Sequence, residues 1–216
     1  ILARGEYPGL RPLVGVIESP TLRPDGGLVF GHGYDAATHF LCCPSENFMP
    51  PPAAPTQEES AAAFAELRHV FGEFEHVSEA DRMVPIALLL TLLARPAIAG
   101  PVPCFVFDSS TRGGGKTLQA DTAALIATGR VPPPENSPEA EDELEKRLGS
   151  IAMSAPAFVK WDNLSGGKFG AAPIDGVTTA QDTYAFRILG QTARVELPWR
   201  TVQAATGNNV QLCGDM

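Results

Sequence analysis

Three groups of residues have the types and spacing to act on a phosphorylated ligand. The first is the string STRGGGKT, Ser110 to Thr117. Glycines at 113, 114 and 115 free the backbone to turn its N–H groups inward around a phosphate chain. Lys116 is a point charge for the β- and γ-phosphates, and the Thr117 hydroxyl suits Mg²⁺. The apolar run from Leu118 to Thr128 predicts a helix whose N-terminal dipole end adds to the cradle. Ser110, Thr111, Arg112, Gly113, Gly114, Gly115, Lys116 and Thr117 are therefore the expected nucleotide contacts. One position departs from G-x-x-x-x-G-K-[ST]: Ser110 stands at the first glycine, where a positive φ would strain it. The plain alternative is a glycine-rich turn that happens to precede a lysine.

The second group is an apolar strand, Ala157 to Trp161, ending in Asp162. In phosphate-loop enzymes such a strand, beside the loop strand, ends in the aspartate that organises Mg²⁺. Asn163 follows, and an amide cannot serve as general base. The third is the strand Thr201 to Thr206, which delivers Gly207, Asn208 and Asn209. An amide at a strand end can hydrogen-bond a γ-phosphate or the attacking water, so Asn208 and Asn209 are sensor candidates.

These groups need a sheet and helices to hold them. Cys104 to Phe107 reads as a short buried strand before the loop. Residues 1–50 read as a small β-rich unit, with Leu13–Ile17 and Leu28–Phe30 strand-like around an Arg23–Gly27 turn. Residues 51–100 read as a proline-rich linker and two-helix connector. Thr56 with Glu59 has capping-box spacing, and Phe64, Leu67, Phe71 and Phe74 form one aromatic and apolar face. Ser78 with Asp81 opens the second helix, which carries the apolar run from Met83 to Ala94. Residues 101–216 read as the nucleotide core. Within it Ser137–Leu148 is a charged helix with acids first, and Pro173–Ala180 a short helix. Tyr184–Leu189 and Arg194–Leu197 are expected to form a hairpin around Gly190–Thr192.

Composition narrows the partners. With 25 acidic against 16 basic residues the net charge is −9, so no global field draws the chain to nucleic acid or anionic membranes. Contact with DNA must be local, and Arg187, Arg194 and Arg200 make the hairpin region the most basic part. Their bland reading is a solvent-facing edge. Four cysteines form no disulfide framework, and a reducing cytoplasm fits them. His32, His39, Cys42 and Cys43 match no common zinc spacing. No stretch is expected to span a membrane. The chain starts at Ile1 and reads as a piece of a larger polypeptide.

The strings STRGGGKTLQADTAALIATGR, WDNLSGGKFGAAPIDGVTTA and RILGQTARVELPWRTVQAATGNN together resemble the ATPase segment of phage- and plasmid-type primase-helicases, relatives of the superfamily 3 helicases within the AAA+ group. GVIESPTLRPDGG and the later GYD are similar to the region that precedes the ATPase. The resemblance implies an α/β P-loop NTPase of AAA+-like, three-layer parallel-sheet form. It implies an ATP- and Mg²⁺-dependent motor acting on DNA, in single-stranded form, as a homo-oligomeric ring. Lys116 and Thr117 take the Walker A roles, Asp162 the Walker B role with Thr117 on the metal, and Asn208 or Asn209 the sensor-1 role. The chain ends before any downstream arginine finger, which a neighbouring subunit or the missing C-terminus would then supply. Two rival readings remain: a non-hydrolysing, nucleotide-dependent assembly or DNA-loading module, and a small-molecule kinase.

Overall fold

The computed structural model describes residues 9–44, 46–138, 140–162, 164, 167–187 and 194–214. Short strands open the chain: β1 (Gly15–Ile17), β2 (Thr21–Leu22), β3 (Leu28–Val29), β4 (Gly33–Asp35) and β5 (Phe40–Cys42). β5 is central in one small sheet, parallel to β1 and antiparallel to β4, while β2 and β3 pair as a hairpin. Arg23 forms an ion pair with Asp35, whose carboxylate also accepts from the Thr38 hydroxyl at 2.7 Å. The Arg23 bond, with Thr38 second, holds the Asp35 carboxyl below its usual range.

Helix α1 (Gln57–Val70) starts at the expected capping box. The Thr56 hydroxyl accepts from the Glu59 N–H, and the Glu59 carboxylate accepts from the Thr56 N–H. Its aromatic face is split, however. Phe64 is exposed, whereas Phe71 is fully buried and lies past the helix end with Phe74. The helix stops at Val70, so the last two aromatics reach the core from the turn. Helix α2 (Glu79–Ala94), capped by Ser78, continues through Pro85 and buries Ile86, Leu88, Leu89 and Leu92.

Strand β6 (Cys104–Ser109) leads through the glycine loop into helix α3 (Lys116–Thr128). Helix α4 (Glu141–Ser154) begins and ends later than the charge pattern alone indicates, with acids in its first turn. Its last two turns are recruited by packing, through Leu148, Ile151 and Ala152. Then follow β7 (Phe158–Trp161), β8 (Lys168–Phe169), α5 (Ala172–Thr179), β9 (Tyr184–Arg187), β10 (Arg194–Leu197), β11 (Val202–Asn208) and β12 (Gln211–Leu212).

β6, β11 and β7 form a parallel sheet in that order, with β11 at the centre. Central position suits the composition: Val202 to Gly207 are buried throughout and, apart from Gln203, small or apolar. The Gln203 amide is satisfied, accepting from Trp161 Nε1 at 3.0 Å and donating to the Thr178 hydroxyl at 3.1 Å. Phe105, Phe107, Phe158, Val202 and Ala204 pack with α2 and α3, while Val159, Trp161 and Ala205 pack with α4 and α5. Glu135 adds a further parallel rung beside β7, where its N–H donates to Lys160 O at 2.8 Å and its carbonyl accepts from the Asp162 N–H at 3.0 Å. The N-terminal unit docks on helix C-termini. The Ser19 hydroxyl donates to the Ala127 carbonyl and the Thr21 hydroxyl to the Leu93 carbonyl, each at 2.6 Å. Among the described residues no helix is long and apolar enough to cross a membrane.

One charged contact joins the two secondary-structure types. Lys160, buried in β7, forms an ion pair with Asp121 of α3. Asp121→Asn leaves the ammonium buried without its counter-charge, and a loss of roughly 3 kcal/mol is expected by urea unfolding. Lys160→Met with Asp121→Asn should recover most of it, since the chain length of Met fills the site without a charge. A double variant no more stable than the single one would contradict this account.

Candidate functional site

Where β6 ends, the chain turns through residues 110–115 and enters α3 at Lys116. Gly113 and Gly115 have φ of +83° and +74°, in the left-handed region where a side chain is strained. At Gly115 space is limiting too: a Cβ would sit 2.7 Å from the Phe74 ring. The turn between α1 and α2 thus closes against the loop. Ser110 is exposed and is absent from the described non-glycine residues with positive φ, which are His39, Ala155 and Asn209. The strain anticipated for serine at that position does not arise. The Ser109 hydroxyl accepts from the Thr111 N–H at 3.2 Å and so ties the loop entry to the strand end.

Lys116 brings the first and third sequence groups together. Its Nζ donates to Asn208 Oδ1 at 2.9 Å and to the Thr111 carbonyl at 3.0 Å. The contact follows from register, because β11 places Asn208 directly opposite Ser109 at the end of β6. Asn209 plays a different part. It adopts φ +53°, tolerable for asparagine, and its N–H donates to the Ser109 carbonyl at 3.3 Å. The side chain meeting the lysine is that of Asn208.

Asp162 follows β7 at the same carboxyl edge of the sheet. Its strand is not next to β6, as the sequence pattern suggests, because β11 lies between them. The displacement has a use. Thr206, on β11, donates its hydroxyl to Asp162 Oδ1, so the central strand holds both the aspartate and, through Asn208, the lysine. Thr117 is half-buried in the first turn of α3. Asn163 lies outside the described residues, as does the expected hairpin turn Gly190–Thr192.

No protein-family model matches the chain, and no curated protein matches it in sequence. What the site can do therefore follows from its own geometry.

β9 and β10 pair antiparallel with Arg187 directly opposite Arg194, both exposed. Like charges directly opposite each other cost stability in a ladder, so this end of the hairpin is strongly cationic without a structural benefit from the pairing. Arg200 does not join them. It lies past the other end of β10, and its charge acts on Arg95. In the N-terminal unit Cys42 is buried and Cys43 exposed, while His39 Nδ1 lies 2.8 Å from the Tyr34 hydroxyl. Among the described residues no group of three or more His, Cys, Asp or Glu side chains could hold a metal.

Thr206, Phe74 and the Asp121–Lys160 pair belong to no sequence motif, yet all three shape the site. Thr206 carries a usable signal, since it sits two residues before Asn208 and a strand presents such residues on one face. Phe74 carries none, because its contact with Gly115 spans separate segments of the chain. Gly115→Ala is expected to lower stability by about 1–3 kcal/mol through backbone strain and the collision with Phe74. A double-mutant cycle with Phe74→Ala, read by thermal unfolding, should show a coupling of roughly 0.5–3 kcal/mol. Simple additivity would remove Phe74 from the account of the loop.

Proposed function

We propose that this chain is the nucleotide-binding segment of an ATP-driven DNA motor of the primase-helicase type, an α/β P-loop unit that works within a homo-oligomeric ring. The observation that carries the reading is the 2.9 Å contact of Lys116 Nζ with Asn208 at the carboxyl edge of a parallel sheet, beside a loop in which Gly113 and Gly115 have positive φ. Open α/β sheets bind ligands at that edge. Asp162, held by Thr206, completes a set of one ammonium, one amide and one carboxylate on adjacent strands and the following helix.

The residues suit Mg²⁺-ATP. A loop without Cβ atoms at 113 to 115 lets backbone N–H groups approach a polyphosphate closely, and the α3 N-terminus favours negative charge. Both hydrogen-bond partners of Lys116 seen here are uncharged oxygens. A phosphate oxygen is the stronger acceptor, which gives the ammonium a reason to leave them. Asn208 then remains beside the terminal phosphate position as a neutral donor for oxygen or water. Thr117 and Asp162 are the residues that would hold Mg²⁺, with Thr206 fixing the carboxylate. Bound there, Mg²⁺-ATP supplies the phosphoanhydride whose cleavage drives the motor. Catalysis by this chain is then positioning and charge neutralisation.

The DNA arm rests on Arg187 and Arg194, two exposed arginines directly opposite each other in the ladder, where a phosphate backbone would supply the counter-charge. Arg200 does not belong to this arm, because it faces another part of the molecule.

Titration of a fluorescent ATP analogue with Mg²⁺ tests the loop. Wild type is expected to bind, and Lys116→Ala to weaken affinity about tenfold or more, the cost of removing a charge-assisted phosphate bond. Equal affinities would mean that the loop is a turn and nothing else. For the DNA arm, Arg194→Glu should weaken binding to a single-stranded oligonucleotide. It should also flatten the dependence on salt by about 0.7 for each phosphate no longer neutralised. An unaltered salt slope would return the hairpin to an ordinary exposed edge.

A further inference from the structure

A cavity lies at the opposite edge of the sheet from the glycine loop. It has a volume of about 600 Å³ and is lined from both the N-terminal unit and the core. Its floor is the start of β7 at Phe158 and the ends of α2, α3 and α4 at Leu92, Thr128 and Met153. Its wall is the segment Leu13–Thr21, which includes the edge strand β1. α3 separates it from the glycine loop by ~20 Å, at 1.5 Å per residue. The volume falls in the range that encloses one small organic ligand.

The charges in this cavity are unbalanced. Arg95, Arg130 and Arg200 all line it. Arg130 is neutralised by Glu18 at 3.0 Å. Arg95 is held differently: one terminal nitrogen donates to the Ile98 carbonyl at 3.0 Å, the other to the Trp199 carbonyl at 2.8 Å. Its Nε is buried and has no acceptor. Among the described residues no carboxylate pairs with Arg95 or with Arg200. Burial, and secondly the Arg200 charge, lower the pKa of Arg95 from its usual value. The Arg200 charge acts unfavourably on that of Arg95, and no described carboxylate offsets it although the chain has acids in excess. An anion from outside would relieve the repulsion.

The rest of the lining selects what carries that anion. Leu13, Val16, Leu92, Met153 and Phe158 present apolar surface around the arginines. A polyanion such as a nucleic acid backbone gains nothing from such walls, whereas an apolar body with one acidic head satisfies both. We propose that this cavity binds a small amphipathic carboxylate, its head by the Arg95 and Arg200 guanidiniums and its apolar body along β1 and Phe158. The proposal is independent of the nucleotide site, since it shares no residue with it.

Decanoate is the test ligand, titrated calorimetrically into the full chain, with decanol as the uncharged and acetate as the tail-less control. Replacing Arg95 would also break its bonds to Ile98 and Trp199, so the informative variants are the exposed Arg200→Gln and Val16→Glu. Decanoate should bind saturably at one site and more tightly than either control. Each variant should weaken it about tenfold or more, as removal or opposition of a charge-assisted bond predicts, with a cooperative unfolding transition retained. Absence of saturable decanoate binding would overturn the proposal. So would decanol binding as tightly as decanoate, or variants that bind like wild type.

Discussion

The placement of β11 between β6 and β7 is the constraint on which the rest depends. A parallel strand covered on both faces must be apolar there or have its polar groups bonded. Val202 to Gly207 meet that demand, mostly with small side chains and at Gln203 with hydrogen bonds to Trp161 and Thr178. Small residues also let helices approach from either side, and two core clusters form there as a result. The polar exceptions among its buried residues are Gln203, bonded to Trp161 and Thr178, and Thr206, whose hydroxyl holds Asp162. One residue beyond the last buried position comes Asn208, at the height of Ser109, and Lys116 reaches it across the strand gap. A register slip of one residue would turn Thr206 away from Asp162 and Asn208 away from Lys116 at once. Core packing and site geometry are therefore set by the same pairing.

Local features were legible from the sequence, and their reasons were local. The capping box at Thr56 and Glu59, the strand before the glycine loop and the helix after it depend on neighbours within a few residues. Strand order was not legible in the same way. Two apolar strands ending in a polar residue, β7 and β11, compete for the place beside β6, and the choice depends on which one tolerates burial on both faces. Lys160 at the middle of β7 weighs against that strand, because a central position would bury its charge between two helix layers. The outer position lets Lys160 find Asp121. The split of the aromatic stripe in α1 has a similar origin, since periodicity counts residues but does not say where a helix stops.

Charge is distributed with more purpose than the total of −9 indicates. Several arginines are engaged internally: Arg23 by Asp35, Arg130 by Glu18, and Arg147 by Glu135 at 2.8 Å. Arg187 and Arg194 instead face each other, and Arg95 faces Arg200. Like pairs of this kind lower stability unless something outside the chain relieves them. An acidic protein has ample carboxylates to neutralise four arginines. That like charges meet at two separated places is the physical basis for proposing anionic ligands at both.

The two sites lie at opposite ends of the same elements, and the Lys160–Asp121 pair stands between them. Lys116 begins α3 and Thr128 ends it at the cavity; Phe158 begins β7 at the cavity, and Asp162 follows its end. A buried ion pair across α3 and β7 resists sliding of one past the other, because any slip separates desolvated charges. Adjustment of the lysine relative to the aspartate must then come from the glycine loop, or from a tilt of α3 that keeps Asp121 in place. A tilt about that point would move the Thr128 end against the cavity as the Lys116 end moves against the phosphates. Coupling between the two proposed sites would, on this geometry, act through rotation about a fixed charge pair, with a magnitude set by how differently each ligand bound the two tilts.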